Sequence, residues 1–199
     1  FIPRKNGKTS FVASLAFALA LLKRKAGATI YVVAAHSDQA KQSFEFILHS
    51  LRYNGMIEDF VVHNSRNERS LSCEFYDGSG RPNGSIHIEA LASNPDAQDS
   101  YNCNIAIADE IHAFKKPSQY NRFKEAMKAY TNKLMIGITT AGDNMNSFCY
   151  RRLEYAVKVL NGTITDDSLF CYVARADQDE NGDVDYLNPI QHEKANPSY

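Results

Sequence analysis

A short motif near the start of the chain could bind phosphate groups. Gly7, Lys8 and Thr9 are followed at once by an apolar run, residues 10–22, that predicts a helix. Such a turn presents backbone N–H groups and the positive end of a helix dipole to phosphates. Lys8 would reach the β- and γ-phosphates, and the Thr9 hydroxyl would ligate Mg²⁺. The full pattern has glycine where Ile2 stands, so a chance Gly-Lys-Thr at a helix start is the alternative.

Two carboxylates follow an apolar run later in the chain. Residues 105–108 predict a buried parallel strand, and Asp109 and Glu110 stand at its carboxyl end. In a phosphate-binding domain, Asp109 would hold Mg²⁺ through water and Glu110 would polarise the attacking water. The alternative is a buried strand that runs into an acidic loop. The presence of both motifs in one chain of domain size favours the first interpretation.

A pair of hydroxyl side chains ends another predicted strand, residues 133–139. Thr139 and Thr140 lead into Ala141 and Gly142. Next to a phosphate site, such a pair can sense the γ-phosphate. An ordinary strand-to-helix turn is the alternative, and only the other two motifs argue against it.

Helices and strands alternate along the sequence, which predicts an α/β fold with a mostly parallel sheet covered on both faces. All three motifs fall at carboxyl ends of strands, where open α/β sheets bind ligands.

Residues 1–3 read as the end of a strand that is cut short, so we expect the chain to be a fragment of a longer protein. The first helix is apolar nearly all round, which predicts burial against the sheet, with Gly27 as its C-terminal cap. The predicted helices are 8–25, 37–53, 117–130 and 147–161, and the predicted strands are 29–35, 61–62, 70–76, 85–91, 105–108, 133–139 and 169–174.

The composition indicates a folded domain with an uneven charge distribution. The chain has 199 residues, 44% of them hydrophobic, which suits one α/β domain, or one domain plus a tail, and excludes a disordered chain. Residues 1–25 hold six basic side chains and no acid, whereas residues 163–199 carry a net charge of −6 and predict a solvated tail. The overall charge of −1 predicts weak, salt-sensitive DNA binding by the isolated domain.

The chain has four cysteines that are far apart in sequence: Cys73, Cys103, Cys149 and Cys171. This spacing argues against a zinc site and for a reducing compartment.

One apolar run, residues 11–22, imitates a signal peptide. However, the basic residues 23–25 replace the small-residue cleavage site. The run is also shorter than the roughly 20 residues that cross a bilayer. We therefore expect a soluble, intracellular protein with no membrane partner.

The tail contains an acidic pattern similar to a calcium-binding loop. Asp177, Asp179 and Asp185 fall on three of the ligand positions of that pattern. Position 12, which needs a bidentate Glu, is Asn188, and Pro189 follows it with no helix signal on either side. A solvated acidic turn is the favoured interpretation.

Four segments together resemble the large terminase subunit of tailed double-stranded-DNA bacteriophages. They are Pro3-Arg-Lys-Asn-Gly-Lys-Thr9, Ala108-Asp-Glu-Ile-His112, Thr139-Thr-Ala-Gly142 and Lys194-Ala-Asn-Pro197. The resemblance implies a P-loop NTPase of three-layer α/β/α architecture with a truncated first strand, in which ATP hydrolysis drives viral DNA into a procapsid. Residues 1–175 would form the ATPase domain and residues 176–199 an acidic linker toward a nuclease domain beyond Tyr199.

The resemblance also implies roles for single residues. Glu110 would be the catalytic carboxylate, with Arg4 beside the γ-phosphate, and Thr9 and Asp109 would be the magnesium residues. Thr139 and Thr140 would couple hydrolysis to movement. The residues expected to contact ATP are Arg4, Lys5, Asn6, Gly7, Lys8, Thr9, Thr139 and Thr140.

The implied partners belong to a DNA-packaging assembly. They are double-stranded DNA, the terminase small subunit, the portal and further copies of the chain in a ring, in the cytoplasm of the host cell. A neighbouring subunit is expected to supply an arginine to the site. The candidates, which the sequence does not rank, are Arg66, Arg69, Arg81 and Arg122.

Two other functions stay open at the level of sequence. A helicase-type ATPase fragment would continue into a second motor domain. A nucleotide-dependent binding module would occupy its site without turnover. Glu110 argues against a binding module, because a protein that only binds needs no carboxylate to polarise water.

Overall fold

One sheet with helices on both faces forms the structure, a computed structural model that describes residues 1–65, 68–92, 101–140 and 142–198. The strands are β1 (Ala28–Ala34), β2 (Val61–Asn64), β3 (Arg69–Tyr76), β4 (Pro82–Ala92), β5 (Ile105–Asp109) and β6 (Leu134–Ile138). The helices in these ranges are α1 (Lys8–Lys23), α2 (Ser37–Tyr53), α3 (Ser118–Ala126), α4 (Phe148–Leu160) and α5 (Pro189–Ala195).

The sheet is mixed and mostly parallel, in the strand order β2-β3-β4-β1-β5-β6. β4, β1, β5 and β6 are parallel neighbours, whereas β2 and β3 are attached by antiparallel pairing. The glycine-rich stretch between β3 and β4 is a hairpin turn, in which the Gly80 N–H donates to the Asp77 carbonyl. These findings confirm the predicted α/β class.

Alternating side chains on the central strands build the two cores. In β5, Ile105 and Ile107 face the core under α1 and α2, while Ala106 and Ala108 face the core under α3 and α4. β1 alternates in the same way, because successive strand side chains point to opposite faces. The small side chains of Ala106 and Ala108 leave room for Phe123 of α3, which is 1% exposed. The predicted three-layer arrangement is therefore confirmed.

The register of β5 and β6 brings the ends of these strands together. Asp109 pairs with Ile138 in the parallel ladder. Glu110 and Thr139 therefore leave the sheet side by side at its carboxyl edge. The first helix follows a turn at this same edge, because the Ile2 N–H donates to the Thr139 carbonyl at 3.1 Å.

The first helix is buried on one side only. Ala13, Ala16 and Ala20 are fully buried and allow α1 to approach the sheet closely. Phe11 and Leu22 are 68% and 78% exposed. The predicted burial of α1 against the sheet is therefore confirmed for one stripe of the helix, whereas the other stripe faces outward although it is also apolar.

The last part of the chain differs from the prediction in two places. Residues 169–174 do not form a regular strand. The Phe1 nitrogen donates to Tyr172 O at 2.7 Å, and the Ala174 N–H donates to Phe1 O at 2.9 Å. These two hydrogen bonds form a ladder too short to count as a strand. The tail also contains α5, where no helix was expected. Asn188 caps α5 by accepting from the Ile190 N–H at 3.0 Å, and Pro189 occupies its first turn. An asparagine followed by proline is a helix-start signal that we read as a turn.

Candidate functional site

The loop before α1 has the backbone form of an anion-binding turn. Lys5 and Gly7 both have positive φ, 65° in each case, and Gly7 is the N-terminal cap residue of α1. The turn is closed by hydrogen bonds from the Phe11 N–H and the Ser10 hydroxyl to the Gly7 carbonyl, at 3.0 and 2.9 Å. The first turn of a helix leaves backbone N–H groups without intrahelical partners. The loop therefore offers donors and a helix N-terminus at one point.

The lysine of this turn points inward. Lys8 is 8% exposed, and its Nζ lies 3.9 Å from Glu110 Oε1 at the end of β5. Lysine is seldom this buried without a partner. The phosphate motif and the carboxylate pair, which are far apart in sequence, are thus in direct contact.

The first carboxylate of the pair is deeply buried. Asp109 is 3% exposed, and its Oδ2 accepts a hydrogen bond from Ser43 Oγ of α2 at 3.0 Å. Burial raises the pKa of the Asp109 carboxyl; the Ser43 bond opposes this rise, and the charge of Glu110 adds to it. Its other oxygen, Oδ1, is buried without a hydrogen-bond partner. An unsatisfied buried carboxylate oxygen is costly and suggests that a bound cation or water completes the site.

The second carboxylate sits on a strained turn. Glu110 has φ 51°, in the left-handed region that residues other than glycine seldom adopt. This conformation turns the chain sharply out of β5 and into the 3₁₀ turn Ile111–Ala113. Strained residues of this kind cluster at functional sites. The Glu110 side chain is 24% exposed, although its Oε2 atom is buried.

A histidine and two threonines lie next to Glu110. His112 Nδ1 is 3.0 Å from Glu110 Oε2, 3.0 Å from Thr139 Oγ1 and 3.3 Å from Thr140 Oγ1. Thr139 is 1% exposed, and its hydroxyl is engaged with neighbouring protein groups, whereas Thr140 lines a cavity. Thr140 is therefore better placed than Thr139 to contact a ligand directly.

A cavity of about 750 Å³ opens beside these groups, within the size range of small-molecule sites. Polar and charged residues on its wall include Arg4, His112 and Thr140, and apolar residues include Phe1, Ile2, Leu153 and Val173. Arg4 and Lys5 are exposed, and Thr9 is half-buried in the first turn of α1. Asn6 does not point into open solvent: its side chain donates to Asn196 Oδ1 at 3.2 Å and accepts from the Ser198 N–H at 3.0 Å.

Some residues of this site were not found from the sequence. Ser43 is a polar residue within the apolar stripe of α2, between Ala40 and Ile47, and that position is the signal that could have revealed it. Arg175, on the cavity wall, follows a stretch that we read as a strand end. Of the candidates for the neighbour's arginine, Arg69 donates to Ser37 Oγ at 2.8 Å, and Arg66 lies outside the described residues.

Other sites considered from the sequence receive no support among the described residues. These ranges contain no cluster of three or more histidine, cysteine, aspartate or glutamate side chains placed to hold a metal ion. Asp177 is bonded to Lys194 and Gln191 of α5, and Asp179 accepts from the N–H groups of Asn181 and Asp183. None of the described helices is both long enough and apolar enough to span a bilayer.

Comparison with known families decides the identity of the domain. The family model described as terminase large subunit, ATPase domain, matches residues 1–158. The chain belongs to this family. The resemblance noted in the sequence is thereby confirmed.

Solved terminases share the fold. The crystal structure of the HK97 bacteriophage large terminase matches with a TM-score of 0.78 at 22% identity, over 100% of this chain and 38% of that one. The ATPase domain of the Thermus phage P74-26 large terminase matches with a TM-score of 0.60 at 17% identity, over 75% of this chain and 61% of that one. The large terminase of another thermophilic bacteriophage, in complex with ADP, matches with a TM-score of 0.58 at 13% identity, over 80% of this chain and 37% of that one.

A curated relative covers a shorter stretch. Protein YmfN of Escherichia coli strain K12 is 36% identical over 93 residues, which is 47% of this chain and 20% of YmfN. The chain thus spans a minor part of YmfN and of the HK97 terminase.

Proposed function

We propose that this chain is the ATP-hydrolysing motor domain of a phage terminase large subunit, which uses Mg-ATP to drive viral DNA packaging. The observation that carries the proposal is the contact between the phosphate-binding turn and the carboxylates at the end of β5, through Lys8 and Glu110. The ADP complex of the large terminase from a thermophilic bacteriophage, a protein of the same fold, supports a nucleotide as the ligand.

The residues present fit Mg-ATP. The buried Oδ1 of Asp109 lacks a hydrogen-bond partner, and Thr9 contributes a hydroxyl in the adjacent first turn of α1. Carboxylate and hydroxyl oxygens suit Mg²⁺, which takes oxygen ligands and keeps several waters. When bound, Mg²⁺ would neutralise charge that develops on the phosphate oxygens.

The side chains of the site then divide the remaining work. Lys8 donates charge-assisted hydrogen bonds to the β- and γ-phosphates, and the left-handed turn at Lys5 and Gly7 directs backbone N–H groups toward them. Glu110 orients and polarises the attacking water. Arg4, on the cavity wall, stabilises negative charge at the γ-phosphate. The salt contact between Lys8 and Glu110 is replaced when phosphate takes Lys8, which releases the carboxylate for the water.

The motor acts, on this proposal, within a larger assembly in the host-cell cytoplasm. Its partners are double-stranded DNA, the terminase small subunit, the portal and further copies of the chain in a ring. This chain covers 38% of the length of the HK97 terminase. On this proposal, the whole packaging activity therefore belongs to a longer chain.

The test of the proposal is ATP binding by Lys8→Ala. Loss of charge-assisted hydrogen bonds worth about 1.5–3 kcal/mol should weaken ATP binding roughly 10- to 100-fold. Lys25→Ala is the matched control, because Lys25 is exposed and lies beyond the C-terminal end of α1, roughly 25 Å from Lys8. Both variants are measured in the full-length protein by isothermal calorimetry. Unchanged ATP affinity in Lys8→Ala would show that the turn is not the nucleotide site.

A further inference from the structure

One histidine connects the catalytic end of β5 to the end of β6. The backbone N–H of His112 donates to Thr139 Oγ1 at 3.0 Å, and its ring nitrogen Nδ1 lies at the same distance from that oxygen. On its other side, Nδ1 lies 3.0 Å from Glu110 Oε2. The loop after β6 closes on this ring: a Cβ added at Gly142, which has φ +73°, would lie 3.0 Å from His112 Cβ. His112 is thus held from both strands.

The neighbours of Nδ1 determine where its proton lies. An ionised carboxylate can only accept hydrogen bonds, so Glu110 Oε2 at 3.0 Å disfavours a lone pair on Nδ1. The Thr139 hydroxyl donates its own proton to the Thr140 carbonyl at 2.8 Å, which leaves its oxygen free to accept. From these neighbours we assign a hydrogen to Nδ1.

This single N–H faces two acceptors at 3.0 Å, Thr139 Oγ1 and Glu110 Oε2, and a third, Thr140 Oγ1, at 3.3 Å. In the structure it is aligned with Thr139 Oγ1, and Glu110 Oε2 remains without a directional hydrogen bond. A small rotation of either side chain transfers the bond to Glu110. Among the described residues, Glu110 also has a cationic contact, Lys8 Nζ at 3.9 Å, which the phosphates take over in the proposed mechanism.

We propose that His112 is a positioning residue for Glu110, whose Nδ1–H holds the catalytic carboxylate in place once nucleotide has engaged Lys8. Because the same Nδ1–H also bonds to Thr139 Oγ1, His112 links the position of the Glu110 carboxylate to the end of β6. The inference rests on the proposed function, because it assigns His112 a part in ATP hydrolysis. His112 touches Glu110 and not the reacting atoms.

Two amide variants separate this role from a merely structural one. Asparagine places an N–H₂ group near the position of Nδ1, whereas glutamine places it near the position of Nε2 and leaves Nδ1 unreplaced. His112→Gln should lower kcat for ATP hydrolysis on the order of 10- to 100-fold, since a misplaced catalytic group costs rate rather than affinity. Its ATP dissociation constant should stay within a few-fold of the parent's, and His112→Asn should recover most of the rate. A purely structural role would affect both amides alike, and equal rates for the two variants would overturn the inference.

A double substitution tests whether His112 acts through Glu110. In single-turnover measurements on the full-length protein, His112→Gln should have little further effect in a Glu110→Gln background, because residues that act as a unit are not additive. An equal further loss in that background would place His112 in some other role and overturn the inference. If Glu110→Gln alone keeps the parent rate, the proposed function fails. If Glu110→Gln is slow and His112→Gln keeps the parent rate, only the inference about His112 fails.

Discussion

A glycine in β6 allows the turn that carries the catalytic carboxylate to pack closely. A Cβ added at Gly137 would lie 2.6 Å from Cδ1 of Ile111, the residue after Glu110. Carbon atoms in contact lie about 3.5–4.0 Å apart, so Gly137→Ala creates an overlap of roughly 1 Å. Cδ1 is the end of the Ile111 side chain, and Ile111 is 5% exposed, so relief of the overlap requires this side chain to repack against its buried neighbours. We therefore expect the substitution to push the turn that holds Glu110 away from the sheet.

The size of the effect follows from this overlap. Overpacking of a core costs about 1–3 kcal/mol, and replacing glycine by alanine returns about 0.4–1 kcal/mol through the unfolded chain. A net loss of roughly 1–2 kcal/mol in the free energy of unfolding is expected for Gly137→Ala, measured from urea midpoints. A displacement near 1 Å at a catalytic group should also lower the ATPase rate on the order of 100-fold.

A second substitution removes the atom that clashes. Ile111→Val deletes Cδ1 and alone should cost about 0.5–1.5 kcal/mol. The loss in the free energy of unfolding of the double variant should be smaller than the sum of the two single losses by about 0.5 kcal/mol or more. Gly78→Ala is the control, because no atom lies within 4 Å of the added Cβ and its φ is not positive. Strict additivity, or a Gly137→Ala protein as stable and active as the parent, would refute the reasoning.

Two further predictions concern Asp109 and the acidic tail. Burial raises the folded-state pKa of Asp109 above its ordinary value of 3.8. The protonated carboxyl therefore contributes its full share to the free energy of unfolding below pH 3.8. This contribution is lost as the pH rises through the folded-state pKa. Asp109→Asn cannot ionise and should therefore gain thermal stability over the parent at pH 7 and less at a pH near 3.8, while ATP hydrolysis is lost; an equal stability difference at both pH values would contradict this. The tail should show no micromolar calcium site by calorimetry, because Asp177 is bonded to Lys194 and Asn188 caps α5 where the loop pattern needs a glutamate. A stoichiometric calcium signal that Asp179→Asn abolishes would show that prediction to be wrong.

The central elements were predictable because their sequence signals are strong and local. The β-branched run of β1, the alternation along β5 and the Gly-Lys-Thr turn each identify one element, and parallel strands place the ends of β5 and β6 at one edge. The bounds of α2 and α4 lie within one residue of the predicted ones; Ser147 caps the start of α4, whereas no side chain caps the start of α2.

The parts that were not predicted depend on contacts between distant segments. The left-handed backbone of Glu110 has no sequence signal, because such a conformation is expected of glycine. Ser43 reaches Asp109 only once α2 is laid on the sheet, and the contact between His112 and Thr139 depends on the register of two strands. The contact of Asn6 with Asn196 joins the two ends of the chain, which local patterns do not reveal.

The measurement that tests the motor assignment most directly compares ATP binding and phosphate release in Glu110→Gln. The variant keeps the size of the side chain and removes its charge, so ATP affinity should stay within a few-fold of the parent's. Phosphate release should fall on the order of 10²- to 10⁴-fold, the usual cost of losing a positioned base. Glu125→Gln is the matched control, since Glu125 is 62% exposed and pairs with Lys128 on the surface. In the full-length protein assembled with its packaging partners, slow release with intact binding supports the account, whereas hydrolysis at the parent rate would contradict it.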